Sequence, residues 1–207
     1  MTQAFTTHIG LTVPLARANV DTDVIVRMDR CAEFPRGQLG PWAFESLRLK
    51  TDGTRDESCV FNNSAFSSAS ILVADDNFGC GSSREWAVWA LADMGLRCVI
   101  APRFGDIFFA NCFQNGLLPV RLHQGTVTQL LAEAAAGALV LQVDLHAQRI
   151  SGAAGGPIAF DVEPLRKSML LQGLDEISLA LTHATGTAAW QLHDRSARPW
   201  VYAPMHI

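Results

Sequence analysis

The pattern of apolar and polar positions predicts alternating strands and helices from residue 71 onward. Ile71–Ala74 is an unbroken apolar run of strand length. A loop of sequence Asp-Asp-Asn-Phe-Gly-Cys-Gly follows it. In the next stretch, 82–94, Ala87, Val88, Leu91 and Met94 fall at helical spacing, and Gly95 supplies a stop. Cys98–Ala101 reads as the next strand and ends at Pro102. Residues 104–115, closed by Gly116, read as a second helix, and 117–122 as a third strand, where Pro119 argues against a central place in a sheet. Helix is predicted over 126–136, then strands over 139–145 and 157–162. Helices over Pro164–Gln172 and 175–184 each carry Pro or Asp near the start.

Strand–helix alternation over about half the chain argues for an α/β class. The first sixty residues are less regular and richer in loop, the kind of segment that often carries binding residues. Two breaks, the polar 51–58 and the Gly-rich 151–157, are too short for interdomain linkers, so one domain over 1–207 is expected.

Composition narrows the class. The chain is 49% hydrophobic and 17% charged, enough apolar material for a sizeable core and too much for a disordered chain. Its net charge of −4 lacks the basic surplus of a nucleic-acid binder. No apolar stretch is long enough to span a bilayer and no secretory signal is visible, so no membrane association and a cytoplasmic location are expected. The five cysteines include no C-x-x-C pair, which speaks against a disulfide framework and against a metal centre carried by this chain alone. The histidines are scattered, with no H-x-x-x-H spacing.

The sharpest chemical signal is Asn77-Phe78-Gly79-Cys80-Gly81-Ser82-Ser83-Arg84-Glu85. Its glycines permit a tight turn and close backbone approach to a ligand. Ser82 and Glu85 stand in S-x-x-E spacing, which predicts a helix opening at Ser82. A helix N-terminus presents unpaired N–H groups, and Arg84 adds a planar guanidinium suited to a carboxylate or phosphate. Spacing alone does not separate such an anion-binding turn from a plain helix cap. The segment is not a dinucleotide fingerprint, a phosphate-binding P-loop or a G-x-S-x-G elbow.

Taken with 99–120, Val-Ile-Ala-Pro-Arg-Phe-Gly-Asp-Ile-Phe-Phe-Ala-Asn-Cys-Phe-Gln-Asn-Gly-Leu-Leu-Pro-Val, the segment resembles the small subunits of isopropylmalate dehydratases, the swivel-domain members of the aconitase superfamily. The segments Asn-Val-Asp-Thr-Asp at 19–23, Leu-Asp-Glu-Ile at 174–177 and Arg-Pro-Trp at 198–200 fit in order. The resemblance implies a swivel domain with a mixed β core flanked by helices. It implies Ser82 as catalytic base, Ser83 and Arg84 as binders of a substrate carboxylate, and Asp23 beside the reacting groups, orienting a histidine of the partner. Substrate recognition is implied for the loop that holds Arg27, Arg30 and Arg36. The implied cofactor is a [4Fe–4S] cluster carried by a large subunit, and the implied substrate a dicarboxylate.

Two departures keep alternatives open. Trp86 stands where the family often has His, and 27–36 differs from the commonest substrate loop. Citraconate, homoaconitate or dimethylmalate hydratase subunits therefore remain open, as does a non-catalytic dicarboxylate-binding module. Without the resemblance, Asp21 and Asp23 read as turn aspartates before a strand over 24–26.

Overall fold

Unbroken apolar strands need cover on both faces, and β2 (Ile71–Ala74) and β3 (Cys98–Ala101) have it: all eight of their residues are buried. The structure is a computed structural model and describes residues 2–81 and 84–202. Its frame is a seven-stranded sheet in the order β4-β3-β2-β1-β5-β6-β7, where β1 is Thr7–Leu15, β4 Leu118–Arg121, β5 Val140–Asp144, β6 Arg149–Ser151 and β7 Ile158–Ala159. Strands β1 to β4 run parallel, with Thr12, Ile71, Cys98 and Leu118 in one register row. Strands β5 to β7 add antiparallel pairing beyond β1. The sheet is thus mixed and flanked by helices, as expected.

Alternate residues of the parallel strands feed two cores. Leu72, Ala74, Val99 and Ala101 pack with Val88 and Leu91 of α4 (Trp86–Asp93) and Phe108 of α5 (Asp106–Gln114). Ile71, Val73, Cys98 and Ile100 pack on the other face with Val127 and Leu130 of α6 (Gln124–Ala136). Pro119 lies on β4, which ends the sheet, so its missing N–H costs no inner ladder bond. Strand β5 buries Leu141 and Val143 and exposes Val140 and Gln142, the pattern of a sheet covered on one side.

Some expectations change. Strand β1 was not foreseen in the irregular first sixty residues, nor was β6. The strand expected over 24–26 is instead the end of a short helical turn, α1 (Thr22–Ile25): the Asp21 carboxylate accepts the Val24 N–H at 2.8 Å and caps it. Two more short helices follow, α2 (Met28–Glu33) and α3 (Glu45–Arg48). The helix expected to open at Ser82 begins at Trp86, with Glu85 at its N-cap making no side-chain capping bond. The Glu85 carboxylate accepts from Asn115 Nδ2 at 3.3 Å, a tertiary contact.

Near the C-terminus, α7 (Pro164–Gln172) opens on the Glu163 cap and closes on Gly173 at φ 66°. There α8 (Glu176–Thr182) stops sooner than expected, and a further helix, α9 (Ala184–Ala197), follows. Every described residue from 181 to 202 except Asp194 is exposed. With no buried stripe, α9 carries no apolar periodicity to read. Among the described residues no helix is long and apolar enough to cross a membrane.

Candidate active site

Three loops leave the carboxyl ends of β1, β2 and β3, where parallel sheets gather ligand sites. They are 16–21, 75–85 and 102–105. Backbone hydrogen bonds join all three. Asp76 O accepts from Asn19 N at 2.9 Å, Val20 O from Gly79 N at 2.7 Å, and Cys80 O from Thr22 N at 2.9 Å. On the far side, Phe78 N donates to Arg103 O at 3.0 Å and Gly105 N to Phe78 O at 2.9 Å. Three of the sequence segments that carried the resemblance are therefore stitched side by side.

Close approach explains the glycines. Asn77 and Gly79 adopt φ 60° and 72°, the left-handed region. A Cβ on Gly79 would fall 2.3 Å from the Phe108 ring, and one on Gly105 would fall 2.4 Å from Gly79 O. Beneath the turn lie Phe78 and Phe108, buried edge to face with centroids 5.5 Å apart. Asn77 Nδ2 donates to Asn19 Oδ1 at 2.8 Å. Arg103 pairs with Asp76, and that hydrogen bond first of all holds the Asp76 carboxyl below its ordinary range.

Residues 22–23, Arg84 and the start of α4 meet α2 at one cleft, lined by Thr22, Asp23, Met28, Cys31, Arg84 and Trp86. The structure thus brings Asp23 and Arg84 together. The Arg84 guanidinium touches Met28 Sδ and lies over the Trp86 ring, 5.6 Å from its centroid. Trp86 is half-buried: it packs on the core and also walls the cleft. The described lining leaves a small cleft of about 10 Å³. Ser82 and Ser83 lie outside the described residues.

The arginines of the following loop differ. Arg30 is fully engaged. It donates to Glu45 through Nε at 3.0 Å and Nη2 at 2.8 Å, to Glu33 through Nη1 at 3.0 Å, and lies 4.0 Å from the Trp42 ring centroid. These bonds, Glu45's first, raise its pKa further. Arg27 pairs with Asp29 at 2.7 Å. Arg36 is exposed and stacks 5.4 Å from the Trp89 ring centroid on α4. The adjacent backbone is tied down, since Gly37 and Leu39 N–H donate to the Asp93 carboxylate at 2.8 and 3.0 Å.

Met28, Cys31 and the Glu45–Trp42 clamp on Arg30 were not singled out in the sequence. Met28 and Cys31 sit one helical turn apart on α2, a spacing too common to flag.

The cysteines do not gather at one place among the described residues. Burial pushes the thiols of Cys31, Cys80, Cys98 and Cys112 up, in Cys31 with help from Asp23 and in Cys80 from Asp21. Among the described residues no group of three His, Cys, Asp or Glu is placed to hold a metal ion. The described side chains thus gather no ligand set for an iron–sulfur cluster.

Residues 2–125 match the family model for the aconitase C-terminal domain. The 3-isopropylmalate dehydratase small subunit of Jannaschia sp. (strain CCS1) is 48% identical over 198 residues, covering 95% of this chain and 98% of its own. The protein of the same name from Paramagnetospirillum magneticum is 46% identical over 200 residues, covering 96% of this chain and 100% of its own. A crystal structure of 3-isopropylmalate dehydratase from Methanocaldococcus jannaschii superposes with a TM-score of 0.66 at 22% identity, over 88% of this chain and 98% of that one. At that identity the likeness speaks for the fold alone.

Proposed function

We propose, from the premise that the chain belongs to the 3-isopropylmalate dehydratase small subunits of the aconitase C-terminal-domain family, that Ser82 is its catalytic base and that Ser83 and Arg84 hold a substrate carboxylate. The chain is one subunit of a hydro-lyase that interconverts 2-isopropylmalate and 3-isopropylmalate in leucine biosynthesis, and its partner is a large subunit. The enzyme family implies an iron–sulfur cluster, which we place on the large subunit. The whole chain serves as one swivel domain, acts in the cytoplasm on a dicarboxylate, and engages neither nucleic acid nor membrane.

The observation that supports this reading is the convergence of residues 22–23, Arg84, the start of α4 and α2 on the Asp23–Arg84 cleft. A serine hydroxyl is a weak base unless its alkoxide is stabilised. The Arg84 guanidinium supplies positive potential at the cleft. The Ser82 alkoxide takes a proton from the carbon next to a carboxylate. The charge that develops on that carboxylate is met by Arg84 and Ser83. Asp23, on the facing wall, orients a histidine brought by the partner. Arg36 reaches the rest of the substrate, while Arg30, clamped by Glu45, Glu33 and Trp42, holds the loop in shape.

Reconstitution tests the reading. The chain mixed with its cognate large subunit should turn over isopropylmalate, and neither alone should. Ser82→Ala should lower kcat by about 10²–10⁴ and leave assembly intact. An assembled Ser82→Ala enzyme of full activity would remove the base assignment. Arg36→Ala should raise KM with kcat little changed, the mark of lost uniform binding. Turnover of citraconate or dimethylmalate in preference to isopropylmalate would move the substrate, with Trp86 as the residue to examine.

A further inference from the structure

Two arginines assigned to the substrate rest on two tryptophans of α4. Arg84 lies over the Trp86 ring at 5.6 Å from its centroid, and Arg36 over the Trp89 ring at 5.4 Å. Positions three apart on a helix are neighbours, so the two stacks stand side by side on one stretch of α4. A guanidinium stacked on a ring is only as well placed as the ring itself. The Asp93 carboxylate, one turn beyond Trp89, holds the backbone after Arg36 through the Gly37 and Leu39 N–H groups at 2.8 and 3.0 Å. The Trp89 ring and the start of α4 are anchored from elsewhere.

Asn115 supplies that anchor. It follows α5 directly and is buried, and both ends of its side-chain amide are engaged. Oδ1 accepts from Trp89 Nε1 at 2.9 Å, while Nδ2 donates to Glu85 Oε1 at 3.3 Å and to Asn111 O at 2.9 Å. The residue type follows from the partners. An indole N–H only donates, and a carboxylate and a backbone carbonyl only accept, so the site calls for one acceptor and two donors. A leucine of similar shape would offer none of these, and an aspartate would set a second carboxylate against Glu85. Glu85 adjoins Arg84 in the chain and lies one turn before Trp89, whose backbone N–H donates to Glu85 O at 3.0 Å. One buried amide therefore clamps both side chains, the first beside Arg84 and the second beneath Arg36.

We propose that Asn115 is a positioning residue for the dehydratase reaction: through Glu85 it sets Arg84, and through Trp89 it sets Arg36, so that one amide fixes the spacing of the two cations that meet the substrate. This rests on the reading that Arg84 and Arg36 engage the substrate. Asn115 acts through the residues beside those arginines.

The test measures KM and kcat for 3-isopropylmalate with the full chain reconstituted on its cognate large subunit. Asn115→Leu should raise KM about three- to tenfold and lower kcat about tenfold, because Arg36 and Arg84 both lose their setting. Trp89→Phe keeps a ring under Arg36 and removes the N–H given to Asn115; it should raise KM about threefold with kcat held within about twofold. In an Arg36→Ala background the KM effect of either change should vanish, while the kcat effect of Asn115→Leu persists. Gln114→Leu is the control. It removes the neighbouring residue's two bonds to Glu176, at 2.7 and 3.0 Å, which root α8, and should leave both constants unchanged. A merely structural role for Asn115 would lower kcat with the active fraction and leave KM alone. That result, or KM effects that multiply undiminished with Arg36→Ala, or the same shifts in Gln114→Leu, would overturn the proposal. If Asn115→Leu fails to assemble, Trp89→Phe decides: an unchanged KM there overturns it as well. An active wild-type pair with unshifted variants would remove the role of Asn115 and leave the hydro-lyase reading untouched, whereas an inactive wild-type pair would remove both.

Discussion

The loops at the carboxyl ends of β1, β2 and β3 and the helices after Gly173 are built on opposite terms. In the loops, backbone bonds run between 19–22, 76–80 and 103–105, and Phe78 and Phe108 fill the space beneath. In the C-terminal arm, α8 and α9 leave large apolar side chains in water and bury only Asp194 from 181 onward. The first region is held in place by its own neighbours, so it can present Arg84 and Asp23 in a set geometry before any partner arrives. The second is held mainly at its root.

The comparison breaks most readily at the aromatic floor. Phe108→Ala should cost about 3–5 kcal/mol, read by urea unfolding, because the side chain is 1% exposed and the turn rests on it. A loss below 1 kcal/mol would mean the loops do not depend on that floor. Gly105→Ala should cost about 2–3 kcal/mol, since the new methyl meets Gly79 O, a backbone atom that cannot swing aside. It should also lower activity in the reconstituted enzyme by shifting 79–81. Trp190→Gln in the isolated subunit should change stability by no more than about 0.5 kcal/mol, as an exposed substitution does. A large loss there would show that the arm is internally packed after all.

The smallest effect sharpens the contrast inside the arm. Arg198 and then Tyr202 donate to the Asp194 carboxylate and hold its pKa below the ordinary 3.8. A carboxyl depressed on folding stabilises above its unfolded value, and that contribution is lost as pH falls through the folded one. The end of α9 should therefore fray below about pH 4, seen as a Trp200 fluorescence change, while the sheet persists. Asp194→Asn should remove the pH step.

Much of the middle of the fold was legible because its periodicity is strong. The runs Ile71–Ala74 and Cys98–Ala101 can be satisfied only by a doubly covered strand, and both are strands with the foreseen bounds. Pro119 pointed correctly to a sheet edge. The weaker signals failed for identifiable reasons. Strand β1 starts with exposed residues and shows a regular buried run only near its end. Helix α9 has no core to face. The S-x-x-E spacing at 82–85 did not mark the start of α4, which falls at Trp86, and the Glu85 carboxylate accepts from the distant Asn115 amide.

The site divides in the same way. Residue types and local order were enough to single out the glycines and Arg84, while only the resemblance pointed to Asp23 and marked 27–36 as the loop to watch. Sequence alone could not distribute roles among its arginines. Arg30 faces Glu45 and Trp42, fifteen and twelve residues on, and the folding of α2 against α3 decides that it is bound there while Arg36 rests on Trp89. What the sequence by itself determined is the set of chemically able groups and the stretches that must be buried, because both follow from composition and short-range spacing. What only the tertiary structure decided is which of those groups meet at one cleft and which apolar side chains are left without cover, because both depend on contacts between segments tens of residues apart.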